Sequence, residues 1–265
     1  MNRDILINEI INNRISFETI GEIYPVNQNV TITEGKIADQ KCYWFSPKDP
    51  GESIISIYVH GGGFVMGNIN THRALVSHIA GATNTRILFI EYSLAPEHPF
   101  PTAIGEVIRV YEEILKVYPQ NKIAFIGESA GRGLIVSVIN ALYENDFNIP
   151  NSAVLISSWL NLKCNTNSHK TRYALDATLN KRDILKYASL YAGSYENNGD
   201  PNELIFNYFP PVLIMVGSNE ILFDDSKNFY DYIKAVQKET KFIEYENQGH
   251  VWMMTDIDSI ESKQA

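Results

Sequence analysis

Cysteine is nearly missing from this chain: Cys42 and Cys164 are the only two among 265 residues. Two isolated cysteines supply neither a metal-ligand spacing nor a disulfide framework, so the fold has to rest on its apolar core. Cations are also in deficit, with 22 Lys and Arg against 31 Asp and Glu and a formal net charge of −9. That balance repels the phosphates of nucleic acid, and a small neutral substrate suits it better. No apolar stretch approaches the ~20 residues that span a bilayer. Met1-Asn2-Arg3-Asp4-Ile5 does not open a basic segment followed by a long apolar one. The expected location is the cytoplasm, with no membrane span. Internal repeats, low-complexity tracts and Gly/Ser linkers are absent too, which leaves no sign of a repeat architecture.

Apolar residues are plentiful, at 45% of the chain, enough for a large core in one domain with an elaboration. Strand-like runs stand at Ile54 to Val59, Ile87 to Tyr92, Lys122 to Ile126, Ala153 to Ser157, Val212 to Val216 and Phe242 to Tyr245. Helical periodicity falls between them, at about His72 to Gly81, Thr102 to Val117, Gly133 to Tyr143 and Asp225 to Lys238. This β-α-β-α alternation predicts an α/β fold, a mostly parallel central sheet flanked by helices. The stretch from Ser157 to Phe209 breaks the rhythm, being polar and aromatic with one helix candidate at Lys181 to Tyr191. It is too long for a simple connection. We read a single domain over 1–265, with helical cap elements at about 1–20 and 158–209. In the first of these, Ile5, Ile7, Ile10 and Ile11 need a partner surface.

Gly127-Glu128-Ser129-Ala130-Gly131 lies between the run ending at Ile126 and a helical pattern. A G-x-S-x-G at a strand-to-helix junction is a nucleophile elbow, whose sharp turn projects the serine hydroxyl above the sheet. Ser129 is therefore the candidate nucleophile. Glycine and serine also end strands for ordinary turn reasons, so context has to decide. The context is His60-Gly61-Gly62-Gly63-Phe64, which follows another strand-like run 67 residues before the elbow, counted from Gly62 to Ser129. Bare backbone N–H groups in such a loop can point at a developing oxyanion. A tight connection explains either motif alone, but not both together.

A serine hydroxyl needs a base and a group that orients the base. For this elbow the chain order is nucleophile, acid, histidine, which selects His250, after the last strand. His169 is the only other histidine beyond Ser129 and lies inside the expected cap. His60, His72, His78 and His98 precede the nucleophile and take structural or substrate-loop roles. The acid belongs in the loop after Val212 to Val216, where Glu220 stands 30 residues before His250. Asp224 is the alternative; it and Asp225 precede a helical run and also suit an N-cap or first turn.

With Tyr92-Ser93-Leu94-Ala95-Pro96-Glu97-His98-Pro99-Phe100-Pro101, Gly217-Ser218-Asn219-Glu220-Ile221-Leu222 and Gly249-His250, five motifs run in order from about residue 54 to 252. In this set the chain resembles the bacterial hormone-sensitive-lipase-like esterases of the α/β-hydrolase fold. The resemblance implies Ser129 as nucleophile, Glu220 at the place of the triad acid, where relatives commonly carry aspartate, and His250 as base. It implies an oxyanion hole from the N–H groups of Gly62, Gly63 and Ala130, and structural support from Tyr92 to Pro101. Arg132 departs from the pattern, since relatives typically carry glycine there. A cation in the first turn of a helix is disfavoured by the dipole, so a carboxylate on the cap or a nearby loop should offset it. We expect its stem to narrow the acyl pocket, with free solvation as the alternative.

These readings converge on hydrolysis of small, short-acyl carboxylic esters through a Ser-His-Glu triad and an acyl-enzyme, with no metal and no organic cofactor. Two other readings use the same residues: a non-catalytic small-molecule binding protein on this fold, and a serine peptidase or amidase. The sequence sets no limit on association into a homo-oligomer.

Overall fold

A computed structural model of the chain describes residues 3–193 and 199–265 and contains one eight-stranded sheet. Its strands are β1 (Val30–Ile37), β2 (Gln40–Pro47), β3 (Ile54–Val59), β4 (Arg86–Ile90), β5 (Lys122–Glu128), β6 (Ser152–Ile156), β7 (Val212–Gly217) and β8 (Thr240–Tyr245). They lie in the order β1-β2-β4-β3-β5-β6-β7-β8. β1, β2 and β4 pair antiparallel, and every pair from β4 through β3 to β8 is parallel. The helices are α1 (Arg3–Glu18), α2 (Ile69–Thr83), α3 (Thr102–Val117), α4 (Ser129–Glu144), α5 (Ser168–Thr171), α6 (Lys181–Ala192), α7 (Phe223–Ile233) and α8 (Ile260–Gln264). Among the described residues no helix is long and apolar enough to cross a membrane.

The central strands are continuous apolar runs because both faces are covered. In β3, Ile55, Ile57 and Val59 join Val107, Leu134 and Ile135 from α3 and α4. Tyr58, one residue out of phase, joins Leu75 and Val76 of α2 and the turn at Trp252–Met254. This period of two is what sorts each strand's side chains to opposite layers. Parallel pairing then brings the loops that follow β3, β5, β6, β7 and β8 to one edge of the sheet.

The β1–β2 hairpin was not among the expected strands. β1 reads Val-Thr-Ile-Thr-Glu-Gly-Lys-Ile and is largely exposed, so it carries no long apolar run. Its turn is built from Ala38 and Asp39 at φ 48° and 65°, left-handed positions with no glycine to announce them. α7 ends at Ile233 and not at Lys238, because Ile233 is its last buried apolar residue.

α1 and α6 lie at the edge where those loops converge. Ile10 of α1 is buried, Ile11 is 42% exposed, and the side chain of Ile5 lies outside the described residues. Arg14 ties α1 down: its guanidinium donates to the carbonyls of Val65 (2.7 Å) and Ala95 (2.9 Å) and pairs with both Glu97 oxygens. Lys186 of α6 pairs with Glu9 of α1 at 2.5 Å, and Tyr191 stacks on Phe64 with ring centres 3.9 Å apart. Among the described residues of 158–209 there is no strand, and residues 194–198 of that segment lie outside them.

Candidate active site

Ser129 begins α4 directly after β5, with φ at +52°. A non-glycine residue is rarely held there, and the strain is what turns the chain sharply enough to present Oγ. Ser129 Oγ lies 2.9 Å from His250 Nε2, and His250 Nδ1 lies 2.9 Å from Glu220 Oε2. The three sequence candidates therefore meet in one hydrogen-bonded line. Glu220 is fully buried, and its second oxygen accepts from the Gly217 N–H (2.6 Å) and the Ser157 hydroxyl (2.7 Å). Burial opposes a charged imidazole at His250, but the Glu220 carboxylate, helped by Asp176 and Glu128, outweighs it and raises the basicity above the ordinary histidine value.

The loop after β3 runs through Gly62 (φ +101°), Gly63 (φ +65°) and Phe64 (φ +65°). Its path needs glycine at the first of these, where a side chain would also meet the Met66 carbonyl. The Gly62 carbonyl closes the turn by accepting from Val65 and Met66 N–H, while among the described residues the N–H groups of Gly62 and Gly63 have no acceptor. Gly62, Gly63, Ser129 and His250 line one cavity of about 290 Å³, and Ala130 follows Ser129 at the N-terminal end of α4. Phe17, Met66, Ile184, Tyr187 and Met254 also line the cavity.

Other candidates lie elsewhere. Asp224 accepts from the Ser168 N–H at 2.7 Å, in the first turn of α7 and away from His250. His169 is buried against Thr166, and burial pushes its pKa down to about 4. His60 and His72 are fully buried under the glycine loop. Arg132 corrects our expectation on both counts: it neither lines the cavity nor reaches solvent. Its side chain is completely buried, donates to Ser226 Oγ at 3.1 Å, lies 5.3 Å from the Phe229 ring centre, and faces Asp225 and Glu220. The offsetting carboxylate is Asp225, on α7.

Residues 157–161, after β6, were not singled out in the sequence. Ser157 donates to Glu220 and accepts from the Val251 N–H at 3.1 Å. The Trp159 N–H donates to the Ser129 carbonyl at 3.2 Å, and the Leu160 and Asn161 N–H groups donate to Asp225 at 3.1 and 2.9 Å. Asp176 was missed too; it caps the N–H groups of Thr178, Leu179 and Ile221. Residues 157–161 are defined by partners distant in sequence, and Asp176, although it caps the nearby Thr178 and Leu179, reaches Ile221 only through the fold.

A family model described as the alpha/beta hydrolase fold matches residues 56–254. An acetyl-hydrolase of Streptomyces hygroscopicus is 32% identical over 214 residues, covering 79% of this chain and 71% of that protein. An esterase of Acinetobacter venetianus is 30% identical over 249 residues, 92% of this chain and 82% of its own. The crystal structure of an esterase from the bacterial hormone-sensitive lipase family superposes with a TM-score of 0.91 at 29% identity, over 96% of this chain and 87% of that one. The chain therefore belongs to the α/β-hydrolase-fold family, among its hormone-sensitive-lipase-like carboxylesterases.

Proposed function

We propose that ester hydrolysis here runs through a Ser129–His250–Glu220 triad and an acyl-enzyme. The observation that carries this reading is the unbroken line of two 2.9 Å contacts from Glu220 through His250 to Ser129. Glu220 fixes the imidazole with Nδ1 protonated and steadies the imidazolium that forms. His250 Nε2 takes the Ser129 proton as Oγ attacks the ester carbonyl. The N–H groups of Gly62, Gly63 and Ala130 receive the negative charge that develops on the carbonyl oxygen. His250 then protonates the leaving alcohol, and water repeats the sequence to release the acid.

The substrates of this reading are small esters with short acyl chains, held beneath a cap made of α1 and α6. Its supports are the cavity of about 290 Å³ and the ring of Tyr187 set against Gly63 at the oxyanion loop. A relative named an acetyl-hydrolase agrees with it. The test is a p-nitrophenyl ester series of increasing acyl length on the purified protein, with Ser129→Ala as control. Turnover is expected to be highest at two to four acyl carbons and to vanish in the variant. Retention of more than a few per cent of kcat in Ser129→Ala would remove Ser129 as nucleophile.

A further inference from the structure

Beneath the glycine loop lies a second carboxylate–histidine pair that the triad does not use. Glu128 and His72 are 2% and 0% exposed, and Glu128 Oε1 lies 3.0 Å from His72 Nε2. The same oxygen accepts the Gly61 N–H. A Cβ at Gly61 would run into this carboxylate, so the close approach requires glycine. On its other side, His72 Nδ1 faces the Thr71 hydroxyl at 2.5 Å and the Asn68 carbonyl at 3.4 Å. The Thr71 hydroxyl donates its own proton to the Asn68 carbonyl at 2.7 Å. Both ring nitrogens of His72 thus meet hydrogen-bond partners, so the ring is fixed on two sides and holds the Glu128 side chain in place.

The peptides on either side of Gly61 are gripped by buried side chains. The His60 carbonyl accepts from Tyr92 OH at 2.7 Å, the Gly61 N–H donates to Glu128, and the Gly61 carbonyl accepts from His60 Nδ1 at 2.7 Å. One polar group of these two peptides is left, the Gly62 N–H. A trans peptide is planar, with its C=O and N–H pointing in opposite directions, so holding the Gly61 carbonyl aims the Gly62 N–H. We propose that Glu128 and His72 are a positioning pair for the oxyanion hole, holding the loop at Gly61 so that the Gly62 N–H meets the developing charge. This rests on the triad reading above and adds residues on the oxyanion side to it. Hydrogen bonds in series also polarise one another, so the grip strengthens the donor as well as aiming it.

The test compares Glu128→Gln and His72→Gln with the parent in three measurements: kcat and KM on a short ester, inhibition by phenylboronic acid, and the Gly61 amide proton shift in 15N-glycine-labelled protein. A boronate adduct on Ser129 places an oxygen in the hole, whereas KM reports ground-state binding. We expect kcat to fall on the order of 10- to 100-fold with KM within about threefold, and boronate affinity to weaken by a similar factor. The Gly61 amide proton should resonate far downfield in the parent and move upfield in both variants. Unchanged kcat and boronate affinity in folded variants overturn the proposal, as does a loss of activity that only tracks the folded fraction. If Glu128→Gln does not fold, His72→Gln decides, because it leaves the carboxylate on Gly61; if neither folds, an ordinary Gly61 shift in the parent overturns the proposal. Failure of the triad reading is separate, since it shows as ester turnover or covalent boronate capture by Ser129→Ala.

Discussion

Ser157 and Glu220 meet at 2.7 Å, the serine hydroxyl donating to the carboxylate oxygen that faces away from His250. The same hydroxyl accepts from the Val251 N–H, next to His250, so one small side chain spans Glu220 and the loop that carries His250. Ser157 holds φ at 47° to do this. Its removal leaves a buried acceptor and a buried donor short of a partner, although the Gly217 N–H still serves the carboxylate.

Ser157→Ala should therefore destabilise the protein by about 1–3 kcal/mol and lower kcat by about tenfold with a smaller effect on KM. Urea unfolding and steady-state kinetics on the same preparation check both. Full activity with the stability loss would limit Ser157 to folding.

Glu220→Gln should lower kcat by on the order of 10²–10⁴. It should also move the acid limb of the kcat/KM profile. The Glu220 carboxylate favours the imidazolium, so the wild-type limb lies above the ordinary histidine value and the variant limb shifts to lower pH. Asp224→Asn, by contrast, should keep the profile and cost about 0.3–1 kcal/mol from the first turn of α7. The reverse outcome would move the acid four positions along the chain, from the loop into α7.

Burial lifts the Asp225 carboxyl to about 7, against the pull of the Asn161 and Leu160 N–H groups and of Arg132. The folded value lies above the unfolded one, so the native state holds the proton longer and the Asp225 contribution to stability declines as pH rises from ~4 through about 7. Arg132→Met removes the cation that limits this decline. Without Arg132 the folded Asp225 value lies still higher, so the variant's deficit against wild type should be constant below about 7 and grow as pH rises above it, reaching about 3–5 kcal/mol in alkaline solution. The acyl-length profile should not change, because Arg132 is outside the cavity. Equal deficits at pH 5 and pH 8 would show that the two groups are uncoupled.

Tyr187 lies so close to the oxyanion loop that a Cβ on Gly63 would come within 2.7 Å of its ring. Tyr187→Ala should shift the best p-nitrophenyl ester toward longer acyl chains by several carbons. A profile that stays at short chains would assign the size limit to other residues of the cavity.

The parallel strands and the helices between them were legible because each is a local pattern, an apolar run or a 3.6-residue period bounded by turns. Ser129, Glu220 and His250 could be nominated because chain order and loop position follow from that alternation. The β1–β2 hairpin escaped because most of β1 faces solvent and the turn uses Ala38 and Asp39 in place of glycine. Arg132 was misplaced for a different reason. Its neighbours Ser226 and Phe229 lie more than 90 residues away in sequence, and nothing in its own helix turn tells whether it points to solvent, pocket or core. Glu128 was in plain view inside the nucleophile motif, but its partners Gly61 and His72 become neighbours only when β3 and β5 pair.

The segment from Ser157 to Asn161 supplies no member of the proposed triad, yet it contacts the turn at Ser129, Glu220, the loop that carries His250, and Asp225. A designer who grafted a serine, a histidine and a glutamate onto another scaffold at matching distances would transfer the reagents without the jig that spaces them. The transferable unit is that pentapeptide together with the two helix starts it grips. In natural variants, drift within it would appear as enzymes that keep every reactive residue and still fail to turn over.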